Sequence, residues 1–298
     1  HLLLWISGRR SPESVWLGCT NGSEPSPHLL WVIGPSPVTP WPSQREFSKR
    51  AFELSQTRRH LEHHPGTNPP SFTAVVEEVT EEGGVILSES WCYPRGGGQP
   101  GDTGTFMIDG KSIAFGEVTA AQSITHPLLG SGLANGDEVT CVIDRDRRNS
   151  LAKMHSAAHI VSAVANERWG AITVGNQLNT ESSRMDLKFE NRELFDKDQL
   201  TEDANYWVHE DVGINVHQWG RDQIMTDERV RNKRFVERII DRVGGDDPQL
   251  RMVEVEGIDL CPCAGTHLSS TGAIGGIAVD KVQNKGKGTF RVNFSLID

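Results

Sequence analysis

From Phe72 onward the chain partly alternates apolar and polar residues with a period of two, the pattern of strands with one buried face. Thr73-Ala-Val-Val-Glu-Glu-Val79 begins it, Glu81-Glu-Gly-Gly84 supplies a hairpin turn, and Val85-Ile-Leu-Ser88 returns. Short runs follow at residues 104–108, 114–118 and 138–143, separated by turn pairs such as Asp109-Gly110 and Asn135-Gly136. Such closely spaced strands predict a small β-barrel over residues 71–145.

Beyond the barrel the period changes. Leu151, Met154, Ala158, Val161 and Val164 recur at helical spacing, with Asn149-Ser150 as the expected cap. Strands are predicted at residues 179–189, 212–218, 250–255, 273–282 and 288–295, and helices at 196–210 and 226–235. Strands flanked by segregated helices predict an α+β fold, with residues 146–298 forming an α/β two-layer domain.

The first 70 residues differ from the rest. They hold proline clusters, four of the eight tryptophans and the echo His1-Leu-Leu-Leu-Trp5 and His28-Leu-Leu-Trp31. No periodicity there is long enough for a packed domain. Residues 43–64 can form one charged helix, with Ser43 and Glu46 at capping-box spacing. Otherwise residues 1–70 are expected to be a disordered or non-native extension that adds nothing to the core. A signal peptide fits poorly, because Arg9-Arg10 follows the apolar stretch.

Two motifs carry chemistry. His155-Ser-Ala-Ala-His159 sets two imidazoles one helical turn apart. Cys263-Ala-Gly-Thr-His267, within Asp259-Leu-Cys-Pro-Cys-Ala-Gly-Thr-His267, sets a thiol and an imidazole at the same spacing. Pro262 excludes interior helix there, so a loop or a helix start is expected. A lone HxxxH is usually incidental. Both halves together offer three imidazoles and a thiolate, a set suited to zinc. The order differs from short zinc fingers, and the zincin glutamate is replaced by Ser156. Cys261 is a further thiol at feasible spacing to His267.

Composition narrows the class. The chain has 298 residues, a formal net charge of -10 and 36% hydrophobic residues, with mean hydropathy -0.42. No apolar run approaches the ~20 residues of a spanning helix, so a membrane protein is not expected. Five scattered cysteines argue against a disulfide framework. The acidic total counts mildly against nucleic acid, but local patches decide RNA affinity. Arg145, Arg147 and Arg148 form one patch; Lys281, Lys285, Lys287 and Arg291 form another. The ordinary reading of both is a solvated surface.

The motifs HSAAH, CPCAGTH and Asn284-Lys-Gly-Lys-Gly288 together resemble the editing domain of alanyl-tRNA synthetases and the free-standing AlaX proteins. Tyr93-Pro-Arg-Gly-Gly-Gly-Gln-Pro-Gly-Asp-Thr-Gly104 resembles the glycine-rich motif of the longer AlaX forms. The resemblance runs from about residue 72 to 298. It implies an antiparallel sheet in the second domain, zinc on His155, His159, Cys263 and His267, and cytoplasmic hydrolysis of tRNA(Ala) mischarged with serine, glycine being a further substrate candidate. Zinc can polarise the ester, acidify a water or orient the amino acid, and the residues leave these open. The resemblance points to Thr173 and Gln177 as pocket residues, against ordinary turn chemistry around Gly175. It points to Gly97, Gly98 and Gln99 as packing on the pocket, and to Lys285, Lys287 and Arg291 as tRNA contacts. Two alternatives stay open: a detached editing piece of a synthetase, and an RNA-binding module with structural zinc. Oligomeric state is not legible.

Overall fold

The computed structural model describes residues 56–231, 233–243 and 248–297, all within one compact unit. Residues 1–55, with most of the expected charged helix, lie outside the described residues. The described end of that expected helix is not α-helical. It forms strand β1 (Thr57–Arg58) and a single 3-10 turn (Arg59–Leu61). The cause is tertiary pairing. Strand β1 lies parallel to a short strand at Glu89–Ser90, and Gln56 bridges Leu87 O and Ile124 O with its side-chain amide.

The first large sheet has seven strands. They are β2 (Phe72–Val79), β3 (Gly84–Leu87), β5 (Gly104–Ile108), β6 (Lys111–Phe115), β7 (Thr119–Ala120), β8 (Ile124–Pro127) and β9 (Glu138–Ile143), with β4 being Glu89–Ser90 beside β1. The order is β6-β5-β9-β2-β3-β8-β7, every neighbouring pair antiparallel. A bridge between Phe115, the last residue of β6, and Leu128, just past β8, brings the β6 edge round towards the far side of the order, so the sheet is a curled half-barrel. Alternation sets its inside. Phe72, Ala74 and Val76 of β2 and Val139, Cys141 and Ile143 of β9 point inward, with Phe106 opposite Cys141. Each fully buried Val, Ile or Phe among them contributes roughly 1.5–3 kcal/mol.

Helix α1 (Arg145–Trp169) follows at once. Its cap is Asp144, whose carboxylate accepts from Arg147 N, and not the expected Asn149-Ser150. Leaving β9 directly into the helix brings the start forward. Gly170, at φ 63°, ends it. The helix is buried nearly all round, with Ala152, Ala157, Ala158, Ala163 and Ala165 admitting close neighbours.

Two antiparallel sheets complete the fold. One has the order β10-β11-β16-β15, from Ile172–Gln177, Ser182–Lys188, Thr289–Ile297 and Gly276–Gly286. The other runs β12-β13-β14, from Ile214–Trp219, Leu250–Val255 and Asp259–Pro262. Helix α2 (Lys197–His209), capped by Asp196, packs on α1 and β15. The expected helix at 226–235 is instead two, α3 (Arg221–Thr226) and α4 (Lys233–Val243). They are joined by a turn in which Asp227 accepts from Arg229 N. These helices bury Ile224, Val236 and Ile240 against Trp219, Leu250 and Met252. The whole is a mixed α+β fold with several antiparallel sheets. Among the described residues no helix is long and apolar enough to cross a membrane.

Candidate metal centre

Helix α1 presents His155 and His159 on one face, both nearly buried. Past the end of β14, the loop from Cys263 lies against that face, and Leu268 N donates to Ser156 Oγ at 3.2 Å. Gly265 is needed for the approach, because a Cβ there runs into the His155 ring. Cys263 Sγ lies 3.5 Å from His155 Nε2 and 3.3 Å from His267 Nε2. One donor atom from each of His155, His159, Cys263 and His267 lies within 4.8 Å of all the others. Tetrahedral zinc, with bonds of ~2.0–2.3 Å, sets S···N separations of about 3.5 Å. The structure therefore unites the two halves of the split motif into a possible metal site compatible with zinc.

The surroundings orient each ring. His155 Nδ1 meets Gln99 Oε1 at 2.7 Å, and His159 Nδ1 meets Asp259 Oδ2 at 2.8 Å. His267 Nδ1 lies 3.4 Å from Ser156 Oγ. An acceptor on Nδ1 places the proton there and leaves Nε2 as the donor pair for an ion. Asp259 is itself held, since its other oxygen pairs with Arg231, which also donates to Ser162 O. Cys261 stands on the far side of His159, 3.6 Å from its Nδ1, and outside the four-donor group.

Electrostatics favour the ligand forms of His267 and Cys263. At His159 burial is outweighed by Cys261 and Asp259, which hold the imidazole well above its usual range, so an ion bound there has to displace a proton. Burial pushes His267 down to about 3, so it is neutral. Burial opposes ionisation of Cys263, but the adjacent His155 and His267 outweigh it and hold the thiol well below its usual range. Burial and Asp259 push Cys261 the other way, to about 11. Asp259 resists its own burial through the hydrogen bond and charge of His159 and the charge of Arg231, and stays a carboxylate.

The half-barrel reaches into this centre through one side chain. Gln99, fully buried, accepts from Thr266 N at 3.1 Å and donates to Thr266 Oγ1 at 2.8 Å, besides meeting His155. Gly97 O accepts from Asn176, and Gly98 O from Leu178 N, so the glycine-rich turn also grips β10 and its continuation.

The other sequence candidates lie as follows. Thr173 is in β10, with its hydroxyl 2.8 Å from Ser162 Oγ, one turn beyond His159 on α1. Gln177 is exposed, and its carbonyl accepts from Arg184. Lys285 and Lys287 are exposed in the β15–β16 hairpin. Arg291 makes a two-pronged ion pair with Asp186 at 2.7 and 2.9 Å, which compensates its charge. Arg148 leaves the expected basic patch altogether. It is fully buried and paired with Asp102. Sequence reasoning passed over Asp259, Ser156 and Arg231. The first two sit inside the quoted motifs, where a carboxylate and a hydroxyl beside histidines are the available signal. Arg231 has none, because only the fold brings it to Asp259.

Comparison with known proteins places these residues in a family context. Residues 250–293, which include Cys263 and His267, match the model of the threonyl and alanyl tRNA synthetase second additional domain. The alanyl-tRNA editing protein AlaX-M of Methanosarcina acetivorans is 36% identical over 244 residues, covering 76% of this chain and 94% of that protein. AlaX-M of Saccharolobus solfataricus is 32% identical over 220 residues, covering 71% and 88%. An alanine–tRNA ligase of Methanobrevibacter smithii is 31% identical over 262 residues, covering 83% of this chain but 28% of the ligase.

Proposed function

The chain belongs to the family of AlaX-M alanyl-tRNA editing proteins, and on that premise we propose that it is a zinc-dependent hydrolase that deacylates mischarged tRNA(Ala). Its main substrate in this reading is the seryl ester, with the glycyl ester as the further candidate. We assign residues 71–145 to a small barrel domain bearing the glycine-rich motif, and residues 146–298 to the editing domain. The observation that carries the reading is the convergence of three oriented imidazoles and a thiolate within 4.8 Å.

A zinc ion held by His155, His159, Cys263 and His267 would supply positive charge for polarising the ester carbonyl, acidifying a water or anchoring the amino acid. The chain's own residues do the rest. Gln99 and Asp259 hold His155 and His159 in register. Thr173, with its hydroxyl already in a polar pair with Ser162, is the residue proposed to recognise the seryl hydroxyl. A site that hydrogen-bonds a substrate hydroxyl rejects the analogue lacking it, because its polar groups are then left unpaired. Gln177 supports this pocket less, since Arg184 occupies its carbonyl. Lys285 and Lys287, exposed and beside glycines, are proposed to meet tRNA phosphate. Arg291 is proposed to serve them through the sheet, being bound to Asp186.

Incubation with seryl-, glycyl- and alanyl-tRNA(Ala) tests the substrate. The reading expects rapid loss of the seryl ester and little loss of the alanyl ester. Tight tRNA binding with no hydrolysis of any ester would instead favour an RNA-binding module with structural metal.

A further inference from the structure

The segment ahead of the half-barrel reaches the metal centre. His64 Nε2 meets Ile214 O at 2.6 Å, which ties the segment to β12. Asn68 N donates to Asn149 Oδ1 at 3.2 Å, which ties it to α1. Between them lies Gly66, buried. Its N–H donates to the carbonyl of His267 at 2.6 Å. Its own carbonyl accepts from the buried Arg148 at 3.2 Å. There is no room for a side chain. A Cβ on Gly66 would stand 2.7 Å from Thr266 Cβ, 2.8 Å from His267 N and 2.9 Å from Thr266 Cα. Two of these three neighbours are main-chain atoms, so a substitution has to displace the ligand loop itself.

We propose that Gly66 is a positioning residue for the metal centre: residues 56–70 form a strap that fixes the backbone of His267 and so sets the place of its Nε2 opposite Cys263. The loop from Cys263 to His267 is held on one side by Gln99, through Thr266, and on the other by Gly66, through His267. Arg148 anchors that second hold. It joins Gly66 O to Asp102 of the glycine-rich motif and to Trp91 O. The strap is therefore the third side of a frame whose other two sides are α1 and the glycine-rich turn. This rests on the reading that the four donors hold zinc.

Chelator competition on the full chain measures the zinc dissociation constant directly. Gly66→Ala is expected to weaken zinc about tenfold or more, the scale of losing a group that orients a metal ligand. Its metal-free far-UV spectrum should stay close to wild type, and its unfolding midpoint should fall only modestly, as overpacking one buried position does. Zinc affinity within twofold of wild type would overturn the proposal. Should Gly66→Ala not fold, Asn149→Ala loosens the strap from outside and is expected to weaken zinc about threefold; unchanged affinity there overturns it equally. If the wild type takes up no zinc, the metal reading fails on its own. The strap is then judged by amide exchange of residues 263–268 in the metal-free protein, faster in Gly66→Ala if the strap holds the loop and equal to wild type if it does not.

Discussion

At the scale of single residues, the centre depends on which nitrogen of each imidazole is free. Gln99, Asp259 and Ser156 each engage an Nδ1 and so turn an Nε2 inward. Removing a ligand should therefore differ in degree from removing its holder. His159→Ala and Cys263→Ala are expected to lose zinc in elemental analysis and to lose deacylation with it. Asp259→Ala should keep zinc at saturating metal but bind it roughly 10–100-fold more weakly. Cys261→Ser should bind zinc as the wild type does, because its sulfur lies on the Nδ1 side of His159. Zinc loss in Cys261→Ser with retention in Cys263→Ala would reverse the assignment.

At the scale of elements, Arg148 and Asp102 join α1 to the glycine-rich motif as a fully buried ion pair. Arg148→Ala leaves a buried carboxylate unpaired, and about 3–5 kcal/mol of stability should be lost in denaturant unfolding. A loss below about 1 kcal/mol would mean that water replaces the guanidinium. The strap carries a second marker. Burial pushes His60 down to about 3, aided by the charges of Arg148, Arg58 and Arg251. The unfolded chain takes up this proton near pH 6.5, but the fold does so only near pH 3. Stability is thus complete above that window and falls as pH drops through it. Across it His60→Phe should lose stability less steeply than wild type, by up to about 1.4 kcal/mol per pH unit. Parallel curves would show that His60 is solvated.

Sequence periodicity found both a helix buried on one face, Lys197–His209, and a strand buried on both, Leu250–Val255. Both emerged within about a residue of their expected bounds. Strand β14 was not foreseen, because the restriction by Pro262 points equally to a loop and to extended backbone, and the pairing with β13 decides. The start of α1 was misplaced because Asn149-Ser150 and Asp144 are both good caps, and only the end of β9 selects between them. The two pairs that converge, His155 with His159 and Cys263 with His267, stood out in the sequence because their spacing is itself chemical, while the preference for Cys263 over Cys261 came from the family resemblance. The frame around them was not legible: Gly66, Arg148 and Arg231 act across long sequence separations, and no local pattern marks a glycine that lies against a ligand loop.

At the scale of the whole molecule, net charge -10 must be reconciled with an RNA substrate. The reading places the division between chemistry and tRNA choice in different elements. Neutralising Lys285 and Lys287 should weaken tRNA binding and lower its salt slope by roughly 1.4–1.8, since about two fewer counterions are released. The rate at saturating tRNA should hardly change, because uniform binding does not lower the barrier from the bound state. A lost saturating rate with affinity and salt slope intact would put the hairpin in the active site. The central claim, that the four converging donors hold the zinc on which seryl-ester hydrolysis depends, is met most directly by one measurement: single-turnover deacylation of seryl-tRNA(Ala) by the protein as purified, after chelation, and after zinc is restored. The account predicts fast hydrolysis, its loss on chelation, and its return with about one zinc per chain. Equal rates in the chelated and the restored protein would contradict it.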